Sequence, residues 1–139
     1  MSCLFNSLQY FIPSLTPFQI RRQICDYLYQ NQAVIEDLDT HELLNTIHSH
    51  GAENYVKEMR NSATWGTAIE IQAACNIWRT AIVVINKRDN PSTKITFVPV
   101  KSAAQSTISV SWTGNHYEPI SSSSNAGNDT FTLATGSSA

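Results

Sequence analysis

The segment from Thr80 to Asn86 constrains the fold of this 139-residue chain more than any other part of its sequence. It consists of Thr-Ala-Ile-Val-Val-Ile-Asn, an unbroken and mostly β-branched run. Such side chains favour extended backbone, and a strand without polar alternation has no face suited to water. The run therefore predicts the central, buried strand of a sheet.

The residues before this strand predict helices. Capping-box patterns, in which a short polar residue is followed three positions later by Glu or Gln, mark three helix starts. They are Thr16-x-x-Gln19 with Pro17 at the first helical position, Asp39-x-x-Glu42 and Thr67-x-x-Glu70. We expect helices over 17–30, from 40 to a stop at Gly51, and over 68–78. Apolar spacing predicts two shorter helices, over 3–10 and 53–60.

The residues after the central strand predict a small sheet. Segments 94–100 and 106–112 alternate as strands, and after a tight turn at 113–115 the last strand opens with His116-Tyr117-Glu118. From Ser121 the composition becomes rich in Ser, Gly and Asn, which is typical of a linker or disordered end. We expect one α+β domain over 1–120 and a tail over 121–139.

Composition excludes several classes of function. Only 14% of the residues are charged and the net charge is −2, which argues against a nucleic-acid partner held through phosphates. The longest apolar stretch, Ala81 to Ile85, is too short to span a membrane. Met1-Ser2-Cys3-Leu4 has no signal-peptide pattern. A cytosolic or nuclear location is therefore expected.

The three cysteines are an odd number without metal-ligand spacing, so reduced thiols are expected. Cys25 falls on the apolar face of a predicted helix and Cys75 follows two alanines, which favours buried, inert thiols. Cys3 begins a predicted helix. The partial positive charge and free N–H groups there favour a thiolate and can receive a developing oxyanion.

The histidines divide into two groups. His41 and Glu42 resemble the start of a zinc-protease helix, but Asn45 stands where the second His is required. His48 and His50 point to opposite sides of a predicted helix, so no metal is expected. His116 follows a Gly-Asn turn at a strand edge, where an imidazole is exposed yet held. A Cys3–His116 dyad is one hypothesis, although sequence alone does not show that these residues meet.

Four segments in order resemble the ovarian-tumour (OTU) family of cysteine deubiquitinases over residues 3 to about 120. They are Cys3-Leu4-Phe5-Asn6-Ser7-Leu8; Arg22 with Tyr27; Tyr55-x-x-x-Met59 with Trp65-Gly66-Thr67-Ala68-Ile69-Glu70-Ile71-x-Ala73; and Trp112-x-x-x-His116-Tyr117-Glu118. The resemblance implies a papain-superfamily fold, in which helices pack on a small, mainly antiparallel sheet.

The same resemblance implies hydrolysis of isopeptide bonds at the C-terminus of ubiquitin or a ubiquitin-like modifier. Cys3 would be the nucleophile, His116 the base and Glu118 its orienting acid. Trp112, Asn115 and Tyr117 would contact the substrate, although a core position is equally open for Trp112 and is expected for Tyr117. No cofactor or metal is implied. The protein is expected to be a cytoplasmic monomer, or to act in the host cytosol if it comes from a virus or intracellular bacterium.

One departure from the family pattern leaves alternatives open. Many members carry an Asp three residues before the Cys, whereas only Met1 and Ser2 precede Cys3. A truncated or rearranged chain would explain this, and a catalytically inactive ubiquitin-binding module is the main alternative function. A small α+β interaction domain with chance matches is a third. Trp65 and Glu70 could line the site, but a packing role and a capping role are favoured for them.

Overall fold

The computed structural model describes residues 3–120, so the predicted tail over 121–139 lies outside the described residues. Five helices are followed by four strands. The elements are α1 Cys3–Phe11, α2 Pro17–Tyr29, α3 Thr40–Ile47, α4 Gly51–Met59, α5 Ala68–Trp78, β1 Thr80–Asn86, β2 Thr93–Phe97, β3 Ser106–Trp112 and β4 Tyr117–Ile120. The predicted order of helices and strands is confirmed.

Strand β1 lies in the interior of a sheet with the order β2-β1-β3-β4. It pairs antiparallel with β2 and parallel with β3, so Ile82 stands opposite Phe97 on one side and opposite Ile108 on the other. Strand β4 then pairs antiparallel with β3. Two of the three pairings are antiparallel, and the central position predicted for the β-branched run is confirmed.

The helices form a layer on this sheet. Helix α1 packs against β4, and α5 packs against β1 and β2. Helix α2 contacts both α1 and α5 and carries the fully buried Ile20, Ile24 and Leu28. This apolar stripe at helical spacing excludes water between α2 and the helices it contacts, and so stabilises the domain. Among residues 3–120, no helix combines the length and apolar character needed to cross a membrane.

Several boundaries differ from the sequence predictions. The last strand begins at Tyr117 instead of His116, so His116 lies in the turn before it. Helix α3 ends at Ile47, and Gly51 begins α4 instead of ending α3. His48 and His50 consequently lie outside both helices. His48 directly follows α3, and His50 directly precedes α4. Strand β2 ends at Phe97 instead of residue 100. Pro99 cannot donate a backbone hydrogen bond, which gives a physical reason for the early end.

Candidate active site

Cys3 is the first residue of α1 and is partly exposed. The next two side chains, Leu4 and Phe5, are buried, with 1% and 0% of their surface exposed. Leu8 extends the same buried face one turn later. The apolar spacing therefore fixes how α1 lies on the core, and the thiol is carried at the helix start as predicted.

His116 lies at the end of a tight turn that leads into β4. The turn is closed by a hydrogen bond from the Thr113 backbone N–H to the His116 carbonyl oxygen, with a length of 3.1 Å. Gly114 occupies this turn with φ of 110°, a conformation that favours glycine. The Arg88 side chain crosses Gly114 so closely that a Cβ there would lie 2.7 Å from Arg88 Cδ. The positive φ favours glycine here, and a larger residue would also displace the flexible Arg88 side chain.

The imidazole of His116 pairs with the carboxylate of Glu118. His116 Nε2 lies 3.4 Å from Glu118 Oε2, and the two side chains are 48% and 62% exposed. His116 directly precedes β4 and Glu118 is the second residue of that strand, so the two side chains are close in sequence as well as in space. A pair this exposed adds little to folding stability. It nevertheless places an acceptor where it can orient the ring.

Tyr117 connects the histidine turn with the helix that carries the thiol. Its strand packs against α1. Burial raises the pKa of the Tyr117 phenol, and negative charge on Cys3 and on Glu70 raises it further. The contact between α1 and β4 therefore brings the helix that begins with Cys3 against the strand that follows His116.

The three predicted substrate-contacting residues lie on the same two strands and their turn. Trp112 and Tyr117 are cross-strand partners whose ring centroids are 4.6 Å apart. Both rings are partly buried and pack against the core, as expected for Tyr117. Asn115 is exposed in the turn, where its side-chain oxygen accepts a hydrogen bond from the Thr113 hydroxyl at 3.2 Å.

The two adjacent arginines of α2 lie in different environments. Arg22 is exposed, whereas Arg21 is buried with 3% of its surface accessible. A signal for this was present in the sequence. Arg21 stands four residues before Cys25 and seven before Leu28, both on the apolar face, so helical periodicity places it on that face too.

Glu70 does more than cap α5. Its carboxylate is fully buried and accepts hydrogen bonds from the Thr67 backbone N–H at 2.7 Å and from the Tyr55 hydroxyl at 2.8 Å. The first bond confirms the predicted capping box. The second joins α4 to α5 inside the core. By contrast, Trp65 is 45% exposed and is not one of the buried core residues.

Glu70 should make folding stability depend on pH. Burial raises the pKa of its carboxyl, and the hydrogen bonds from Thr67 and Tyr55 oppose this effect only in part. As pH rises above about 4.3, the unfolded chain loses the Glu70 proton before the folded chain does. The free energy of unfolding should therefore fall relative to that of Glu70→Gln until pH passes the folded-state pKa. Urea unfolding of both proteins across this range measures the difference, and a flat or rising difference would contradict it.

The other two cysteines are buried, as predicted. Burial raises the pKa of the Cys25 and Cys75 thiols to about 12. Thiolate is the reactive form, so both groups are inert near neutral pH. Cys3 is thus the cysteine whose position suits chemistry.

The remaining histidines have local structural contacts. His41 Nε2 lies 3.1 Å from the Tyr29 carbonyl oxygen, and His48 Nε2 lies 3.2 Å from Glu58 Oε1. Over residues 3–120, no cluster of three or more His, Cys, Asp or Glu side chains has a geometry that could hold a metal ion.

Solved structures similar to this one contain OTU domains. An OTU domain in complex with ubiquitin matches with a TM-score of 0.68 and 20% identity, covering 85% of this chain and 62% of that chain. The viral OTU protease of Dera Ghazi Khan virus matches with a TM-score of 0.65 and 13% identity over 85% of this chain and 72% of that one. A ubiquitin-bound OTU deubiquitinase from Wolbachia pipientis wMel matches with a TM-score of 0.57 and 17% identity over 85% and 88%.

These likenesses establish the fold. They show nothing about function, because each sequence identity is 20% or lower. The chain spans 62% of the length of the first of these structures. No curated protein matches the chain. The model of the family described as OTU-like cysteine protease, however, matches residues 2–118, which is most of the sequence. The chain therefore belongs to the OTU-like cysteine protease family.

Proposed function

We propose that this protein is a cysteine peptidase that hydrolyses isopeptide bonds at the C-terminus of ubiquitin or a ubiquitin-like modifier. The observation that carries the proposal is the His116–Glu118 pair, 3.4 Å apart, at the start of the strand that packs against the Cys3 helix. Ubiquitin is proposed as substrate because two of the similar OTU domains were solved with ubiquitin bound.

The reaction assigns a separate task to each residue. The Cys3 thiolate attacks the carbonyl carbon of the isopeptide bond, after His116 has accepted the thiol proton. The negative charge that develops on the carbonyl oxygen is stabilised by free N–H groups at the start of α1. His116 then protonates the departing lysine amine, which leaves a thioester that water hydrolyses. Glu118 orients the imidazole and stabilises its protonated form.

Substrate contacts are proposed for Trp112, Asn115 and Tyr117. The adjacent, mutually tilted rings of Trp112 and Tyr117 offer an apolar wall, and Asn115 offers an exposed amide beside His116. An extended glycine-rich tail suits such a surface, because it brings its backbone close without side-chain obstruction. We further propose action in a reducing compartment such as the cytoplasm, since all three cysteines are free thiols.

A ubiquitin whose C-terminus carries an electrophile tests the proposal. We expect a covalent adduct with this protein, visible as a mass increase of one ubiquitin, with peptide mapping that locates the bond at Cys3. Binding without an adduct would support the inactive ubiquitin-binding module instead. The absence of both binding and adduct would refute ubiquitin as the substrate. Modifiers of related sequence would then be tried with the same electrophile.

A further inference from the structure

Helix α2 carries two adjacent arginines in opposite environments. Arg21 is 3% exposed, whereas Arg22 is exposed and its guanidinium lies 5.8 Å from the Phe18 ring centroid. A buried guanidinium is costly unless its N–H groups have hydrogen-bond acceptors. The interior position of Arg21 therefore calls for strong compensating contacts.

These contacts are backbone carbonyl groups of the last residue of α4 and of the segment that follows it. Arg21 Nη1 donates to the Met59 carbonyl oxygen at 2.7 Å, and Nη2 donates to the Thr64 and Ser62 carbonyl oxygens at 2.9 and 3.3 Å. A planar guanidinium presents its donors in a fixed fork, so it can hold several carbonyl groups in one arrangement. Arg21 thus fixes the course of the segment over residues 59–66.

The same guanidinium contacts the helix that begins with Cys3. Its central carbon lies 4.0 Å from the centroid of the Phe5 ring, which is fully buried. A cation over an aromatic face is attracted to it, more strongly where water is absent. Phe5 follows Cys3 by two residues, so Arg21 lies between the start of α1 and the 59–66 segment.

The end of the 59–66 segment contacts α1 a second time. A Cβ on Gly66 would lie only 2.4 Å from Leu4 Cδ2, so the backbone at Gly66 lies directly on the Leu4 side chain. Leu4 is 1% exposed and has little room to move away. Both side chains that follow Cys3 are therefore held, one by Arg21 and the other by the segment that Arg21 fixes.

We infer that Arg21 is a positioning residue for the nucleophile. By joining the Phe5 ring to the carbonyl groups of the 59–66 segment, it sets how α1 lies against β4 and hence how Cys3 faces His116. This inference rests on the proposed role of Cys3. Small displacements matter here, because proton transfer and attack both require atoms at close and well-aligned separations.

Arg21→Lys and Arg22→Lys form a matched pair that tests the inference. Lysine keeps the positive charge but not the fork of donors. With a fluorogenic ubiquitin conjugate, Arg21→Lys should lower kcat on the order of 10-fold and leave KM within about 2-fold, since binding groups are untouched. The pH midpoint for alkylation of Cys3 by iodoacetamide should also rise by about one unit. Arg22→Lys should resemble the parent in both measurements.

Phe5→Leu is a second variant, which removes the ring beneath the guanidinium and retains an apolar side chain. It should shift kcat and the alkylation midpoint in the same direction by smaller amounts, and it decides the question if Arg21→Lys does not fold. A lower melting temperature with unchanged kcat and midpoint in the folded variants would overturn the inference, since it would show a structural role alone. If the parent does not cleave ubiquitin, the proposed function fails, and the alkylation midpoint of the variants still decides this inference.

Discussion

Replacing Cys3 by alanine should abolish cleavage and adduct formation while leaving the fold intact. The sulfur is the proposed attacking atom, so its loss should reduce turnover by on the order of 10,000-fold or more. Cys3 is only partly buried and lies at a helix end, where one lost sulfur removes little packing. Turnover of a fluorogenic ubiquitin conjugate and the melting temperature measure the two effects separately.

Cys75→Ala is the matched control for this prediction. It removes the same atom from a fully buried position, so it should lower the free energy of unfolding by about 1–2 kcal/mol. Activity of the folded fraction should be retained, because the buried thiol is not the nucleophile. A Cys3→Ala protein that cleaves like its parent would remove the proposed mechanism entirely.

Replacing His116 by alanine should lower turnover by about 100- to 10,000-fold, which is the usual contribution of a positioned general acid and base. The side chain is 48% exposed, so its loss should leave stability nearly unchanged. Added imidazole should restore part of the activity, because it can occupy the vacated position and exchange protons. Steady-state kinetics with and without imidazole provide the measurement.

Glu118→Gln tests how much the Glu118 carboxylate contributes to the same mechanism. It keeps the shape of the side chain and removes its charge, so turnover should fall by about 10- to 1,000-fold with little change in KM. The loss should be smaller than for His116→Ala, since the imidazole is still present. Full activity in Glu118→Gln would assign the orienting role to another group and leave the Cys3–His116 pair in place. Full activity in His116→Ala would refute that pair.

Local signals predicted most of the secondary structure. The capping boxes at Thr16 and Thr67 both form, because a cap depends on residues only three positions apart. The central strand was also predictable from local sequence, because a continuous β-branched run favours extended backbone. Predictions were wrong where neighbouring elements compete for a residue. Gly51 could end one helix or begin the next, and only the packing of α4 decided between them.

The site shows the same division. Short-range spacing brings His116 and Glu118 together, because only one residue separates them, and it puts Cys3 at the start of an amphipathic segment. The family resemblance supplied the suggestion that Cys3 and His116 meet. The packing of α1 against β4 is a contact between residues more than 100 positions apart, for which no local pattern exists.

The amino-acid sequence by itself determined the order of the helices and strands and which two cysteines are buried, because both depend on short-range spacing. Tertiary structure alone decided which carbonyl groups surround the Arg21 guanidinium, and that the Glu70 carboxylate also accepts a hydrogen bond from the Tyr55 hydroxyl. It also decided that Trp65 is exposed. The physical reason is that the hydrogen-bond partners of a polar side chain are groups brought together through space. Local spacing along the chain does not specify which distant groups these are.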